Sequence, residues 1–223
     1  MKRTKLCQRL LPDYTRGEEM FNMVSHIVGG ALGVVATVLC TVFAAIKGNV
    51  WGVVSGAIYG GSLIILYCAS SIYHGLKPSM AKKVMQVLDH CVIYLLIAGT
   101  YTPILLCRIR LVSSAWAWTI FGLVWGLAIL AATFTAIDLK KYSKLSMVAY
   151  IGMGWCIILA IKPTLEALPL SAFLWLLGGG VAYTVGAVIY GIAKRKRYMH
   201  SLFHIFVVMG SLLQFICILF YVI

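Results

Sequence analysis

Two histidines, His200 and His204, lie four residues apart near the start of the last apolar segment of the chain. On an α-helix this spacing places both imidazoles on one face, one turn apart. One helix can therefore offer two nitrogens to a single metal ion. The basic run Lys194–Arg197 precedes the pair, and nineteen uncharged residues follow it. We therefore expect the pair where a helix enters the membrane.

Other ionisable residues occur at the ends of apolar segments. Ser70 and His74 close the second segment, and Asp89 and His90 open the third. Such residues are costly at membrane depth and are therefore candidates for function. Helical periodicity places Ser70 and His74 on one face, and a polar stripe must face a cavity or a partner because lipid cannot satisfy it. We expect these segment ends to converge on the histidine pair.

Convergence would give a metal site. Three neutral imidazoles, from His74, His200 and His204, with an open position describe a catalytic zinc centre in which a bound water becomes a hydroxide source near neutral pH. Asp89 could be a fourth ligand or hold that water as a general base. Ser70 could donate to an oxyanion or orient the water. Iron and manganese accept the same ligand types, so the ligands alone leave the metal open.

The remaining polar residues near these segment ends are interpreted as support. His90 lies about 100° around the helix from Asp89, so both cannot point at one centre. We interpret His90 as interfacial or as a contact to a ligand. Asn22 and His26 share a helical face, and Glu19 lies where a helix N-terminus would favour a carboxylate. This trio predicts a structural hydrogen-bond network around the site rather than direct metal ligands.

The composition identifies an integral membrane protein. Of the 223 residues, 62% are hydrophobic and 11% are charged, whereas about 25% are charged in soluble domains. The net charge is +13, but the basic residues lie between apolar runs. We therefore expect membrane lipids as partners and no nucleic acid, since no basic face or reading module is present. The sequence gives no signal for an oligomeric state.

The elements that must position these residues are membrane helices. A span needs about 20 apolar residues, and seven segments qualify: 23–46, 50–75, 86–107, 112–137, 145–161, 171–193 and 199–222. We predict an all-α bundle of seven transmembrane helices, with an N-terminal segment over 1–22 and one membrane domain over 23–223. The fifth helix is expected to end at Lys162-Pro163. Glycines in the first two segments predict close helix contacts.

The loop charges predict the orientation. The N-terminus and the second, fourth and sixth loops carry 15 of the 19 Lys and Arg residues. The positive-inside rule therefore places the N-terminus in the cytoplasm and the C-terminus outside. The candidate site would then lie near the cytoplasmic face of the cell membrane.

Taken together, the motifs resemble the haemolysin III branch of the progestin and adipoQ receptor family. They are ExxNxxxH at Glu19, Asn22 and His26, SxxxH at Ser70 and His74, HxxxH at His200 and His204, and the stretches 88–94 and 96–103. The resemblance implies a seven-helix fold with a cytoplasmic N-terminus and a zinc ion near that face. It also implies that His74, His200 and His204 hold the zinc and that Asp89 holds a zinc-bound water.

Three functions remain open at this point. The family is similar to alkaline ceramidases, so the resemblance implies hydrolysis of a membrane lipid amide and a role in membrane lipid homeostasis. A second hypothesis is a membrane sensor or regulator in which the zinc is structural. A transporter or channel is third, because its polar groups should lie near the midplane, whereas these stop at one face.

Overall fold

The computed structural model describes residues 4–192 and 196–223, and within these ranges it is helical with no strand. Seven helices are long and apolar enough to cross a membrane. They are α1 (Arg16–Ile46), α2 (Val50–Gly75), α3 (Met80–Val112), α4 (Ser114–Ile137), α5 (Ser143–Ala167), α6 (Leu170–Ile192) and α7 (Met199–Val222). The all-α, seven-helix prediction is confirmed.

Part of the charge count lies outside the described residues, namely Lys2, Arg3, Lys194 and Arg195, as does position 193 at the end of the predicted sixth segment. The orientation of the bundle stays a prediction. The loops that carry the basic excess do lie at one end, with the start of the described chain, and we call this the amino-terminal end. Contacts there join Thr4 to Asp138 and Lys83 to Cys7.

The first helix begins seven residues before the predicted apolar segment. Thr15 and Glu18 form a capping box, in which the Thr15 hydroxyl accepts from the Glu18 N–H at 3.3 Å and the Glu18 carboxylate accepts from the Thr15 N–H at 2.8 Å. This reciprocal pair satisfies N–H groups that a helix start leaves open. Glu19 and Asn22 consequently lie within α1.

The fifth helix continues past Lys162-Pro163, so the predicted end there was wrong. A 3₁₀ stretch over Cys156–Ala160 interrupts α5, and the helix restarts at Ile161. Pro163 then falls in the first turn of the restarted segment, where the missing N–H would have no helical acceptor in any case.

Helices α1 and α2 pack closely through glycine. A Cβ at Gly33 would lie 3.0 Å from the backbone nitrogen of Ile64, and one at Gly56 would lie 3.0 Å from the Cβ of Cys40. Larger side chains would therefore hold the two helices apart. The small-residue pattern in the sequence predicts this contact, and the structure confirms it.

Two tyrosines in the middle of the bundle tie α2 to α7. The hydroxyl of Tyr67 donates to the Ser211 hydroxyl at 2.6 Å, and the hydroxyl of Tyr59 donates to the Ser211 carbonyl at 3.3 Å. Both tyrosine side chains are fully buried. These hydrogen bonds fix the height of α7 relative to α2, and so bring the ends of both helices to the same level.

Candidate metal centre

Three imidazoles meet at the amino-terminal end of the bundle. His74 lies in the last turn of α2, and His200 and His204 lie in the first turns of α7. One nitrogen from each ring falls within 4.8 Å of the other two. The Nε2 atoms of His200 and His204 are 3.0 Å apart. Tetrahedral ligands at about 2.0–2.1 Å from zinc are separated by about 3.3 Å, so this pair is close to the spacing that one ion needs.

The start of α7 is held in place by α1. Tyr198 has a left-handed backbone conformation, with φ of 60°, immediately before α7 begins. Its N–H donates to the Glu18 carboxylate at 2.7 Å. The same carboxylate caps α1 through Thr15, so one side chain sets the start of both helices that flank the site.

The tautomer of His74 leaves one nitrogen free for a metal. Its Nδ1 lies 2.6 Å from the Oε2 of Glu19, and because a carboxylate only accepts, Nδ1 carries the proton. Its Nε2 is buried and has no hydrogen-bond partner among the described residues. A buried nitrogen without a partner is costly unless an ion or a water occupies the site. A carboxylate behind a histidine is the usual arrangement at metal centres, so these residues fit a metal ion.

Glu19 also contacts a residue that the sequence analysis missed. Its Oε1 accepts from the Nζ of Lys82 at 2.7 Å, and Lys82 is only 3% exposed. In the sequence, Lys82 reads as one of the loop charges that set topology. Its partner is 63 positions away, and no local pattern in the sequence points to it.

Glu19, Asn22 and His26, which the sequence analysis grouped together, make different contacts in the structure. Glu19 bonds to His74, whereas the His26 ring stacks on His204, with ring centroids 3.7 Å apart and planes 16° apart. The rings of His26 and Tyr67 are also nearly perpendicular, with centroids 5.0 Å apart. Within 4–192 and 196–223, neither the ring nitrogens of His26 nor the side chain of Asn22 has a hydrogen-bond partner. His26 therefore supports the plane of a candidate ligand by ring packing.

The two predicted catalytic residues lie beside the histidines. Ser70 and Asp89 line a cavity of about 160 Å³ together with His200 and His204. The Ser70 hydroxyl is buried and lacks a hydrogen-bond partner in the described part of the chain. Asp89 does not belong to the group of three side chains within 4.8 Å, so it borders the centre rather than completing a four-residue cluster.

His90 also lines this cavity but lies apart from the three imidazoles. Its Nδ1 lies 2.8 Å from the carbonyl of Gln86, one turn earlier in α3. Its Nε2 is 3.4 Å from the hydroxyl of Tyr190 on α6. Both nitrogens face other groups, and the interpretation of His90 as an outer contact stays a prediction.

The cavity extends away from the histidines between α3, α5, α6 and α7. Apart from the polar groups at its entrance, its walls are mainly apolar and aromatic, and it reaches Trp155 and Gln214. A second cavity of about 80 Å³ shares these two residues and continues toward the other end of the bundle. His200 and Gln214 are fourteen residues apart on one helix, or about 21 Å. The space is long and narrow.

The segment before α1 covers the outer side of the site. The ring of Tyr14 stacks on His200, with centroids 5.0 Å apart and planes 20° apart. Burial raises the pKa of Tyr14 well above its ordinary value, with the nearby Tyr73 adding to the effect. Tyr14 is thus a neutral ring at physiological pH and shields the imidazoles from water.

Comparison with known proteins agrees with this architecture. Residues 14–215 match the family model described as "Haemolysin-III related". The chain is 38% identical to "Hemolysin-3" of Bacillus cereus over 205 residues, which is 92% of each chain. It is 37% identical to "Hemolysin-3 homolog" of Bacillus subtilis (strain 168) over 208 residues, or 93% of this chain and 96% of the relative.

A more distant human relative also matches most of the chain in sequence. "Monocyte to macrophage differentiation factor" of Homo sapiens is 24% identical over 206 residues, which cover 89% of this chain and 79% of the relative. The match to the family model covers α1 to α6 and most of α7, and the two bacterial relatives match over more than nine-tenths of the chain. The chain therefore belongs to the haemolysin III-related family of multi-pass integral membrane proteins.

Proposed function

We propose that this protein is a zinc-dependent hydrolase of membrane lipid amides, similar to a ceramidase, with a role in membrane lipid homeostasis in the cell membrane. The observation that carries the proposal is a three-histidine cluster beside a long apolar cavity, which is also lined by a carboxylate and by a hydroxyl without a partner among the described residues. The excess of basic residues at the same end puts the site, in this proposal, next to the cytoplasm.

His74, His200 and His204 would hold the zinc through their Nε2 atoms. When bound, the ion supplies Lewis acidity at its open position. Glu19 keeps the proton of His74 on Nδ1 and so presents the other nitrogen to the site. His26 and Tyr14 pack against His204 and His200 and limit the movement of both rings.

Asp89 and Ser70 would act on the substrate. The Asp89 carboxylate borders the cavity, where it accepts a proton from the attacking water and returns it to the leaving amine. The Ser70 hydroxyl has no partner in the described structure, so it is free to donate to the oxygen on which negative charge develops. The apolar walls would bind one acyl chain and exclude water from the reacting carbonyl.

A second candidate is a sensor or regulator in which the zinc is structural. It is favoured by the placement of the three imidazoles on α2 and α7, since one ion would cross-link these helices. The protein would then influence membrane lipid composition through its own conformation and not by hydrolysing a lipid.

The test combines metal analysis with turnover. Purified protein in detergent is assayed for zinc by elemental analysis and for fatty acid released from ceramide by mass spectrometry. Asp89→Asn keeps the three imidazoles, so we expect zinc to be retained and release to fall by about 10²–10⁴-fold. A wild type that holds zinc but releases no fatty acid favours the sensor. A wild type without stoichiometric zinc contradicts both functions.

A further inference from the structure

Lys82 occupies a position that is unfavourable for a lysine. It lies in the first turn of α3, where Ser79 caps the helix by accepting from the Lys82 N–H at 3.2 Å. The positive end of the helix dipole disfavours a cation there. The residue is also 3% exposed, and removing an ammonium group from water is costly unless partners compensate.

The partners of Lys82 come from three neighbouring elements. Its Nζ donates to the Glu19 carboxylate of α1 at 2.7 Å and to the Leu76 carbonyl, just after α2, at 2.9 Å. The ring of Tyr73 lies 5.1 Å from the same nitrogen, which suits a cation–π contact. The ammonium group thus makes two hydrogen bonds and one cation–π contact, all with residues close to His74.

From this arrangement we infer that Lys82 is a positioning residue for the metal centre. A carboxylate is planar, so a contact that fixes Oε1 of Glu19 also fixes the direction of Oε2. Oε2 is the atom that lies 2.6 Å from Nδ1 of His74. Lys82 therefore sets the orientation of the His74 ring through Glu19. The inference rests on the metal centre of the proposed function, because its effect is on how well His74 binds the ion.

Glu19 needs this support because its side chain is long and not fully enclosed. It remains 20% exposed, and without Lys82 it can rotate away from His74 toward solvent. The His74 ring would then lose the hydrogen bond from its Nδ1 to Glu19 and turn more freely. Removing a residue that hydrogen-bonds a metal ligand directly, as Glu19 does His74, typically lowers metal affinity by about 10–100-fold, and the loss of Lys82 acts through this partner.

A positioning role and a purely structural role for Lys82 have different measurable effects. Its bond to the Leu76 carbonyl also ties α3 to the end of α2, and a clamp of this kind would affect the metal-free protein as much as the loaded one. A positioning residue affects the metal-loaded state selectively, because a ligand stabilises the folded protein by an amount that grows with the logarithm of its affinity. Metal affinity and metal-free stability must therefore be measured on the same variants.

The experiment compares two adjacent lysines in the full chain, purified in detergent. Lys82→Met removes the contact to Glu19, and Lys83→Met is the matched control, since Lys83 donates instead to the carbonyl of Cys7. Zinc affinity is measured by competition with a chelator, and unfolding temperature is measured with and without zinc. We expect Lys82→Met to weaken zinc binding by about 10–100-fold, with Lys83→Met unchanged. Lys82→Arg, which keeps a charged donor, should restore most of the affinity.

Equal zinc affinity in Lys82→Met and Lys83→Met would overturn the inference while leaving the metal centre intact. A lower unfolding temperature of metal-free Lys82→Met with unchanged affinity would overturn it too, because that result describes a clamp. If Lys82→Met does not fold, Lys82→Ala carries the same comparison, because alanine also lacks a donor to Glu19. A wild type that binds no zinc would overturn the metal centre and this inference together.

Discussion

Replacement of Gly29 by alanine should perturb both the helix packing and the candidate metal centre. A Cβ at this position would overlap the ring of Tyr67. Tyr67 makes two further contacts: its hydroxyl donates to Ser211 at 2.6 Å, and its ring lies nearly perpendicular to that of His26, with centroids 5.0 Å apart. Since His26 stacks on His204, a displaced Tyr67 moves the support of a candidate ligand.

The magnitude follows from three opposing contributions to the free energy of unfolding. Overpacking costs about 1–3 kcal/mol, and loss of the Tyr67 hydrogen bond costs about 0.5–1.5 kcal/mol. Replacing a helical glycine by alanine stabilises the folded helix by about 0.5–1 kcal/mol. The net destabilisation is about 0.5–4 kcal/mol, which corresponds to an unfolding temperature lower by about 1–16 °C in a chain of this size.

The neighbouring glycine is the matched control. A Cβ at Gly30 would lie 3.8 Å from the Cβ of Tyr67, an ordinary contact. Gly30→Ala should therefore be neutral or slightly stabilising, with unchanged zinc content. Unfolding temperature and zinc content are measured for both variants in the same detergent. If Gly29→Ala proves as stable as Gly30→Ala and holds as much zinc, the packing argument that joins Gly29 to His204 is refuted.

Three further predictions concern the site and the loops at the amino-terminal end. His200→Ala removes one of three imidazoles, so elemental analysis should find zinc lost and fatty acid release abolished, whereas retained zinc would contradict the ligand assignment. Ser70→Ala should keep the zinc and lower release by about 10²–10³-fold, and unaltered turnover would exclude a role for its hydroxyl. The N–H of Thr4 donates to Asp138 at 2.7 Å and lowers the pKa of that carboxyl. The contribution of the ionised Asp138 carboxylate to stability is therefore complete above about pH 4 and is lost as pH falls through the lowered pKa. In Asp138→Asn, the unfolding temperature should consequently fall less steeply with decreasing pH in the acid range than it does in the wild type.

Several local features of the fold could be predicted because their causes are local. Lipid allows only helices for apolar segments without strand alternation, so the number of helices follows from the seven apolar runs. The capping box that starts α1 is a local pattern as well, Thr15 followed three residues later by Glu18, but the predicted first segment rested on apolar residues alone and began only at residue 23. The continuation of α5 past Pro163 was not predicted, because it depends on a 3₁₀ interruption that no residue pattern announces.

In the candidate site, too, some features could be predicted from the sequence and others could not. The sequence by itself determined which residues share a helical face, and so it paired His200 with His204 and Ser70 with His74. Only the tertiary structure decided which elements meet: it placed Glu19 behind His74, Lys82 behind Glu19, and His26 against His204. The physical reason is distance along the chain. Helical periodicity acts over a few residues, whereas these contacts join separate helices and depend on how the whole bundle packs.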